Sequence, residues 1–169
     1  MKHSAVQQPL YHQDMPTPLG RLHLVSNDQY LLFAGFNYQK GSLPFPDLLV
    51  AEQETAVLAL AKEELQQYFN GYRRVFSVPC LLFGTAFQKQ VWDGLAGIPF
   101  GETLSYQELA GRIGRPKACR AVGQANHHNP VSIIIPCHRV IGKNGQLVGY
   151  GGGLDKKAWL LEWEKRGRQ

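Results

Sequence analysis

Residues 105–125, SYQELAGRIGRPKACRAVGQA, decide the fold of the second half of this chain. Ser105 followed three residues later by Glu108 is a capping box, in which each side chain bonds the other residue's backbone N–H. It predicts a short helix that runs to about Ile113. Gly114-Arg115 then predicts a turn, because glycine ends helices readily.

A second helix is expected directly after that turn. Pro116 suits its first position, where a fixed φ is helical and a missing N–H needs no partner. The spacing predicts an outward face of Lys117, Arg120 and Gln124, and an inward face of Ala118, Ala121, Val122 and Ala125. Two short helices around a glycine turn form the helix-turn-helix pattern, whose second helix can enter a DNA groove. Paired helices also occur in proteins that never touch DNA, so this pattern alone does not decide the function.

A hairpin signal lies further along the chain. Asn144-Gly145 stands between the apolar pairs Val140-Ile141 and Leu147-Val148, and such a dipeptide favours a two-residue β-turn. We therefore expect a β wing after the helix pair. Together they indicate a mainly helical, winged-helix-like domain.

The first half of the chain reads as sheet followed by helix. Residues 21–25 and 31–36 alternate imperfectly between apolar and polar side chains, and the turn-prone Ser26-Asn27-Asp28 separates them, which predicts an antiparallel strand pair. Residues 52–69 carry apolar side chains at helical spacing, and Asn70-Gly71 supplies a stop. One helix is thus expected to cover a small sheet, giving an α+β protein.

A linker is expected between the two halves. Residues 76–84 hold Pro79 and Gly84, and such residues interrupt regular structure. The predicted domains are therefore residues 1–84, including the linker, and residues 85–169. The second domain should open with a helix over 85–95 and close with an amphipathic helix over 155–166.

Composition indicates a folded protein of the cell interior. The chain has 169 residues, 44% of them hydrophobic and 18% charged, which is typical of a globular protein. Its three cysteines, Cys80, Cys119 and Cys137, are an odd number at wide spacings, which favours reduced thiols over a disulfide framework. The first residues lack the apolar core of a secretion signal, and no run approaches the ~20 apolar residues of a membrane helix. We expect a cytoplasmic protein with no membrane partner.

Charge is unevenly distributed along the chain. Residues 1–84 carry six Lys and Arg against seven Asp and Glu, whereas residues 85–169 carry twelve against six. The second half is therefore the candidate binder of a polyanion. A basic face is more often only solvated, so this charge is supporting evidence.

The chemistry is concentrated in residues 133–140, IIIPCHRV, where a thiol and an imidazole follow an apolar run. A thiolate is a strong nucleophile, and it needs a base and a group that orients the base. His138 is the expected base for Cys137. Because adjacent side chains on extended chain point in opposite directions, we favour a bridging water between them. The group that orients His138 could be Glu164, Glu162 or Asn129.

Two other interpretations of these residues were weighed. Cys137 could be an inert core thiol, but Pro136 and the polar His138-Arg139 argue against that. A zinc site would have to be assembled from Cys119, His127, His128, Cys137 and His138, whose spacings match no usual ligand pattern. We expect His127-His128 to end the second helix, and we expect no metal or other cofactor.

The second half resembles the O6-alkylguanine-DNA alkyltransferases, also called methylated-DNA–protein-cysteine methyltransferases. The ordered motifs that carry the resemblance span nearly all of residues 85–169. They are Phe87-Gln88, Val91-Trp92, Ile98-Pro99-Phe100-Gly101-Glu102-Thr103, Ser105-Tyr106, Leu109-Ala110, Arg120-Ala121-Val122-Gly123, Asn126, Asn129-Pro130, Pro136-Cys137-His138-Arg139-Val140-Ile141-Gly142 and Gly149-Tyr150-Gly151-Gly152-Gly153. Residues 1–84 match weakly, through Thr17-Pro18-Leu19-Gly20 and Tyr68-Phe69-Asn70-Gly71.

The resemblance implies direct-reversal DNA repair in a single turnover. Cys137 would take the alkyl group from O6 of guanine, or from O4 of thymine, and keep it. His138 would accept the thiol proton through a water, with Glu164 orienting it and Asn129 joining the loop to that network. Tyr106 would assist nucleotide flipping and protonate the leaving guanine at N3. The base pocket would use Cys137, Val140, Tyr150 and Gly151.

The resemblance also implies a partner and a first-domain fold. The partner is double-stranded DNA carrying O6-alkylguanine, bound through its minor groove with the damaged nucleotide flipped out. The DNA-contacting set would be Arg120, Tyr106, Ala121, Gly123, Gln124 and Lys117, with Arg120 filling the gap in the duplex. The protein is expected to be a monomer, with cooperative assembly on DNA left open. The first domain would resemble ribonuclease H, and the zinc ligands that some relatives carry there are missing.

Two alternative functions remain at this point. A module that binds alkylated DNA without transfer would lack the nucleophile, so Cys137 argues against it. A thiol hydrolase built on Cys137, His138 and Glu164 would turn over many times without DNA, and the arginine-bearing helix would then have no purpose.

Overall fold

The computed structural model describes residues 9–38 and 50–168, and the chain divides into two units between Leu82 and Phe83. Each unit has its own buried apolar residues. None of the helices within the described ranges is both long enough and apolar enough to cross a membrane.

The first unit contains a four-stranded sheet in the order β3-β2-β1-β4. Its strands are β1, β2, β3 and β4, at Leu10–Thr17, Gly20–Ser26, Leu31–Gly35 and Val50–Glu52. The predicted antiparallel pair is confirmed as β2 and β3. Two strands were not predicted from the sequence: β1, which pairs antiparallel with β2, and β4, which adds a parallel edge. Gly20 has φ of +108° where the β1–β2 turn ends, a conformation that favours glycine.

Helix α1, Ala56–Phe69, contacts this sheet. It begins at Thr55, whose side chain accepts a hydrogen bond from the Leu58 N–H, so the predicted start at Glu52 is wrong. Glu52 instead belongs to β4, because the chain must leave the sheet before Thr55 can cap the helix. The side chains that α1 buries are Val57, Leu58, Ala61, Glu64, Leu65, Tyr68 and Phe69.

The segment after α1 is bound to the first unit. Backbone bonds join Leu31 N to Pro79 O at 2.8 Å and Leu81 N to Leu31 O at 3.0 Å. The buried carboxylate of Glu64 accepts hydrogen bonds from the backbone N–H groups of Ser77 and Val78. Most of the predicted linker is therefore ordered against β3 and α1.

The second unit begins with helix α2, Ala86–Ala96, which Thr85 caps in a reciprocal capping box with Gln88. Its buried face carries Val91, Trp92 and Leu95. The Trp92 indole N–H donates to the Ala125 carbonyl at 2.8 Å, so a buried polar atom is satisfied while α2 is tied to a later helix. A short parallel pair, β5 at Leu104–Ser105 and β6 at Val140–Ile141, lies in the same unit.

The predicted helix pair is present as α3, Tyr106–Arg112, and α4, Cys119–His127. The Ser105–Glu108 capping box is confirmed, and His128 ends α4 as expected. The predicted start of the second helix at Pro116 is wrong. An N–H of Ala118 bonded to the Arg115 carbonyl at 2.9 Å closes a turn first, so Lys117 lies before the helix and not on its face.

The predicted β wing is present only as a turn. Asn144 and Gly145 have φ of +66° and +79°, the conformation that an Asn-Gly turn requires. However, Leu147-Val148 forms no strand. The Val148 carbonyl accepts side-chain hydrogen bonds from Tyr106 and Lys157, so it is engaged away from any ladder. Helix α5, Leu154–Arg168, closes the unit.

Candidate active site

Cys137 opens a single 3-10 turn, Cys137–Arg139, between an apolar segment and β6. The extended chain expected at Cys137-His138 is wrong, because both residues lie in this turn. The preceding apolar run is not extended either. Ile135 N bonds Val131 O at 3.1 Å, and Ile133 has φ of +71°, a costly conformation for a β-branched residue. The run is therefore a compact turn, and it delivers Cys137 with its side chain buried at 4% exposure.

Asn129 holds this turn together. Its side-chain amide donates to the carbonyls of Val131 and Ile135 at 3.3 and 2.8 Å. Its side-chain oxygen accepts from the Val131 N–H at 3.1 Å. The predicted site residue Asn129 thus organises the backbone that presents the thiol, and it is not bonded to His138 or Glu164 in the described structure.

His138 is fully buried, and its Nε2 lies 2.7 Å from Oε1 of Glu164. Arg139 donates to both oxygens of the same carboxylate, from Nε at 2.9 Å and from Nη2 at 2.8 Å. Its third nitrogen donates to the Ile98 carbonyl at 2.6 Å. Of the orienting groups left open by the sequence, Glu164 is the one in contact with His138. Glu162 is exposed and pairs with Arg166.

The charges in this cluster fix the histidine tautomer. Burial alone would raise the pKa of Glu164, but hydrogen bonds from His138 and Arg139, together with the charge of Arg139, outweigh it and hold that pKa well below its usual range. Burial lowers the pKa of His138 more than Glu164 raises it. A charged Glu164 can only accept a hydrogen bond, so neutral His138 carries its proton on Nε2. Nδ1 is then the basic nitrogen, and it has no hydrogen-bond partner within the described residues.

The thiol of Cys137 is under opposing influences. Burial raises its pKa, while Asn129, Lys157 and Ser132 act to lower it. The carbonyl of Cys137 accepts from the Val140 N–H and, at 3.4 Å, from the Asn126 amide. The backbone of Cys137 is therefore fixed by two hydrogen bonds, while burial remains the larger influence on the pKa of its thiol.

Tyr106 lies at the first position of α3, and its hydroxyl donates to the Val148 carbonyl at 2.9 Å. Burial, followed by the charge of Cys137, raises the pKa of its phenol. A phenol with a raised pKa keeps its proton at neutral pH and can donate it. The structure therefore brings Tyr106 into the electrostatic range of Cys137.

The predicted pocket residues differ in exposure. Val140 and Tyr150 are buried, and burial together with the charge of Cys137 raises the pKa of Tyr150 well above its ordinary value. Gly151 is exposed, and a Cβ there would approach nothing closer than the His127 carbonyl at 3.9 Å. A small side chain at this position would therefore meet no close neighbour.

Helix α4 presents an exposed polar face. Arg120, Ala121 and Gln124 are exposed, whereas Val122, Ala125 and Asn126 are buried. Ala121 was predicted to face inward, and that prediction is wrong. Gly123 is half-buried beside the ring of Tyr106. Lys117 is exposed in the turn before the helix, so it lies near this face without belonging to it.

Three residues at the site were not predicted to act there. Arg139 clamps Glu164, Asn126 reaches the Cys137 carbonyl, and Lys157 is completely buried beside Tyr106. Asn126 could have been found as a polar residue on the inward face of α4. Lys157 gave no such signal, because lysine on an amphipathic helix is usually solvated. Within residues 9–38 and 50–168, no group of three or more His, Cys, Asp or Glu side chains could hold a metal ion.

Both halves of the chain match known protein families. Residues 86–166 match the DNA binding domain of 6-O-methylguanine DNA methyltransferase, and residues 10–82 match the ribonuclease-like domain of the same protein. A methylated-DNA–protein-cysteine methyltransferase of Methanosarcina acetivorans is 44% identical over 92% of this chain and 98% of its own length. The constitutive protein of that name from Bacillus subtilis is 43% identical over 92% of this chain and 95% of its own.

Solved structures agree with the sequence matches. A crystal structure of Mycobacterium tuberculosis OGT in complex with DNA is 42% identical, with a TM-score of 0.81 over 93% of this chain and 94% of that one. The O6-methylguanine methyltransferase of the same organism gives a TM-score of 0.82 at 41% identity, over 93% of each chain. A methyltransferase from Pyrococcus kodakaraensis shares the fold at 23% identity, with a TM-score of 0.62 over 92% of this chain and 98% of that one.

Proposed function

This chain belongs to the methylated-DNA–protein-cysteine methyltransferase family, and from that premise we propose that it repairs DNA by moving an alkyl group from O6 of guanine onto Cys137. The observation that carries the proposal is a buried thiol next to a neutral histidine whose free nitrogen is Nδ1 and whose other nitrogen is held by Glu164. This is the arrangement that an activated cysteine nucleophile requires.

The first step is removal of the thiol proton. His138 Nδ1 accepts it through a bridging water, and the resulting imidazolium is stabilised by the Glu164 carboxylate. Arg139 keeps that carboxylate in place and ionised. The orienting role of Glu164 is supported by its 2.7 Å contact with Nε2, which leaves Nδ1 as the atom able to act as a base.

The second step is substitution at the alkyl carbon. The sulfur of Cys137 forms a bond to that carbon as the bond between the carbon and O6 breaks. The electron pair of the broken bond stays with guanine, which takes a proton at N3 from Tyr106. This substitution needs no external oxidant or reductant, so the proposed reaction needs no cofactor.

The product explains a single turnover. The alkylated cysteine is a thioether, which lies outside the reversible steps of thiol chemistry. No step of the proposed reaction removes the alkyl group from the sulfur again, so each molecule repairs one lesion. Transfer from O4 of thymine would follow the same course, since there too the alkyl carbon is bonded to an exocyclic oxygen of the base.

DNA recognition is assigned to the exposed face of α4 together with Tyr106. A base within a duplex is reached only after its nucleotide is flipped out, and the gap must be filled. Arg120 is exposed on α4 and is the side chain we assign to that gap. Ala121 and Gln124 share the face, and small side chains there allow close approach to a narrow minor groove. Gly123 and Lys117 lie beside this face. Contact in the minor groove distinguishes base pairs poorly, so the proposed contact carries little sequence preference.

The flipped base would be held by the groups around the thiol. We assign its amino group to the Val140 and Cys137 carbonyls, although the Cys137 carbonyl already accepts from Asn126 and Val140. Tyr150 and Gly151 would form the walls. With glycine at 151, no side-chain hydroxyl can contact O6.

We place the reaction in the cytoplasm. The cysteines Cys80, Cys119 and Cys137 are all free thiols, and a reducing compartment preserves a nucleophilic thiol.

The proposal is tested by incubating the protein with a duplex that carries one O6-methylguanine and then measuring peptide masses. We expect one methyl group, on the peptide that contains Cys137, and an unmodified guanine in the DNA. Cys137→Ser should leave both protein and lesion unchanged. Repeated release of product without protein methylation would instead indicate a hydrolase, and an intact lesion with tight binding would indicate a non-transferring module.

A further inference from the structure

Asn126, on the buried face of α4, has one half of its side-chain amide without a partner. The residue is 2% exposed, and its Nδ2 donates to the Cys137 carbonyl at 3.4 Å. Its Oδ1 is buried too, yet it accepts no hydrogen bond from any residue in the part of the chain that the structure describes. The Cys137 contact fixes the orientation of the amide, because a carbonyl oxygen can accept only from its nitrogen.

A buried acceptor without a partner is costly, because it has given up water and gained no hydrogen bond in return. Across residues 9–38 and 50–168, two other buried side-chain atoms share this condition, His138 Nδ1 and the Tyr150 hydroxyl. His138 Nδ1 is the proposed base, and Tyr150 is a proposed wall of the base pocket. The Oδ1 of Asn126 is the remaining atom, and the proposed reaction so far gives it no role.

The Cys137 carbonyl has no capacity for a further donor. A backbone carbonyl oxygen has two lone pairs, and the Val140 N–H and the Asn126 amide engage both. The amino group of a flipped guanine has two hydrogens, and one directed at the Cys137 carbonyl would be the third donor on that oxygen. This hydrogen needs another acceptor, and Oδ1 belongs to the amide that already lies against the carbonyl.

Asn126 also lies on the face of α4 that approaches Tyr106. Gly123, three residues earlier, shares that face, and a Cβ on it would be 3.8 Å from Cδ1 of Tyr106. Burial raises the pKa of Tyr106, and a hydrogen bond with the Asn126 side chain acts against that effect. In the proposed reaction Tyr106 protonates N3 of guanine, and N3 is bonded to the ring carbon that carries the amino group. A side chain near both Tyr106 and the Cys137 carbonyl is therefore suited to reach that amino group.

We propose that Asn126 is a substrate-binding residue, whose Oδ1 accepts one hydrogen of the amino group of the flipped guanine. This inference rests on the proposed transfer to Cys137. The Val140 carbonyl takes the other amino hydrogen, and Nδ2 of Asn126 keeps its bond to the Cys137 carbonyl. The contact favours guanine lesions over O4-methylthymine, because thymine has a carbonyl oxygen where guanine has its amino group, and two acceptors would then face each other.

A purely structural asparagine does not account for the unpaired oxygen. A structural role would use only Nδ2, and the Cys137 carbonyl keeps the Val140 N–H if that amide is lost. Leucine has nearly the same shape and would bury no polar atom. An unpaired buried acceptor is expected where a donor arrives later, and the guanine amino group is the donor that the proposed reaction brings to this site.

The test compares methyl transfer from two free bases that differ only in the amino group, O6-methylguanine and 6-methoxypurine. Single-turnover rates of Cys137 methylation are measured by peptide mass in the natural protein, in Asn126→Leu and in His127→Leu. His127→Leu is the matched control, because it replaces the next residue of α4, which is exposed. Free bases remove duplex binding and flipping from the rate. Effects of Asn126→Leu on Tyr106 or on the Cys137 backbone act on both bases and cancel in the ratio of their rates.

We expect the natural protein to react at least about tenfold faster with O6-methylguanine than with 6-methoxypurine, because the base without an amino group leaves Oδ1 unpaired. In Asn126→Leu this ratio should fall by about three- to tenfold, chiefly through slower transfer from O6-methylguanine. His127→Leu should keep the natural ratio. The same ratio in all three proteins would overturn the proposal, even if Asn126→Leu were slower on both bases.

A second measurement does not require Asn126→Leu to fold. A crystal structure of Cys137→Ser bound to a duplex with one O6-methylguanine should hold the lesion unreacted. We expect the guanine amino nitrogen to lie within about 3.2 Å of Asn126 Oδ1, and a separation beyond hydrogen-bond reach would reject the proposal. If Cys137 of the natural protein stays unmethylated by free base and duplex alike, the proposed function fails, and the crystal structure still decides the contact.

Discussion

His138, Arg139 and Glu164 act as a unit in which each side chain fixes the state of another. Arg139 donates to both oxygens of Glu164, and Glu164 accepts a hydrogen bond from the Nε2–H of His138. Burial keeps the histidine neutral, so the proton-accepting atom is Nδ1. The sequence predicted His138 and Glu164 as partners, but it could not show that Arg139 neutralises the carboxylate and makes its burial tolerable.

Replacing Glu164 should therefore impair both folding and chemistry. Glu164→Gln removes a buried charge and leaves Arg139 without its counter-ion, so we expect unfolding to become easier by about 3–5 kcal/mol. The rate of transfer should fall at least ~100-fold, because His138 is no longer held in its basic tautomer. Urea denaturation and single-turnover transfer from the free base measure the two effects.

Glu162→Gln is the matched control on the same helix. Glu162 is exposed and bonded to Arg166, so its replacement should change stability by no more than about 0.5 kcal/mol. Transfer should proceed at the natural rate. Equal losses in the two variants would contradict the role given to Glu164.

The neutral state of buried His138 makes stability depend on pH. Burial lowers its pKa in the folded protein, so below the ordinary histidine pKa of about 6.5 the unfolded chain binds a proton that the folded one does not. Stability should be complete above that pH and decline as pH falls, by at most ~1.4 kcal/mol per pH unit for this group.

Urea denaturation at pH 7.5 and at pH 5.5 measures this decline. His138→Asn should flatten the stability curve between those values, whereas the exposed His127→Asn should leave its slope unchanged. A natural protein that gains stability on acidification through this range would be inconsistent with a neutral His138. Glu164, whose pKa is depressed, adds a further loss only at lower pH.

The turn before Cys137 could not be predicted from the pattern of residues in the sequence. Three consecutive isoleucines favour a strand, yet Ile133 takes a positive φ and Asn129 bonds the backbone at both ends of the turn. The strain at Ile133 is offset by contacts that involve residues outside the run. No local periodicity contains that information, so the sequence did not predict this turn.

Helix α4 is predicted to matter only when the base must leave a duplex. Arg120 is exposed on it, whereas His138 and Glu164 are buried. Arg120→Ala should slow transfer from duplex DNA at least ~10-fold, because unstacking costs a few kcal/mol that the arginine helps to offset. Transfer from free O6-methylguanine should be almost unchanged.

The comparison uses single-turnover rates on both substrates, with Arg115→Ala as a control for an exposed arginine in the preceding turn. A loss of the same size on duplex and free base would reject the gap-filling role. Arg115→Ala should slow transfer from the duplex slightly. That slowing should disappear at high salt, because it reflects only the lost attraction to phosphate.

Elements with local capping signals were predictable, and those fixed by distant contacts were not. The Ser105–Glu108 box and the Asn144-Gly145 turn are both present. The β wing failed because Tyr106 and Lys157, far apart in sequence, both bind the Val148 carbonyl. Likewise β1 has a weak alternation of buried and exposed side chains, and its place is determined by its partners β2 and β4.

The two halves of the chain differ in charge, and this difference predicts how the protein meets DNA. Residues 85–169 carry twelve Lys and Arg against six Asp and Glu, whereas residues 1–84 are close to balance. Affinity for duplex should therefore fall steeply as salt rises, since phosphate contacts release counterions. Lys117, exposed before α4, is a predicted phosphate contact.

Fluorescence anisotropy on a labelled duplex across a range of salt concentrations measures this effect. Lys117→Ala should reduce the slope of log affinity against log salt by about 1 and weaken binding on all sequences equally. Arg21→Ala, exposed on β2 in the first unit, should leave the slope unchanged. The opposite pattern would contradict the prediction that the DNA-binding surface lies in residues 85–169.

The central claim is that Cys137 itself takes the alkyl group and keeps it. Its most direct test titrates the protein against duplex whose O6-methylguanine carries a deuterated methyl group, with quantitation of label by mass spectrometry. The account predicts that one deuterated methyl appears on Cys137 per protein molecule and that repair stops when the protein is consumed. Label on Cys119 or Cys80, label released as methanol, or repair continuing beyond one lesion per molecule would contradict it.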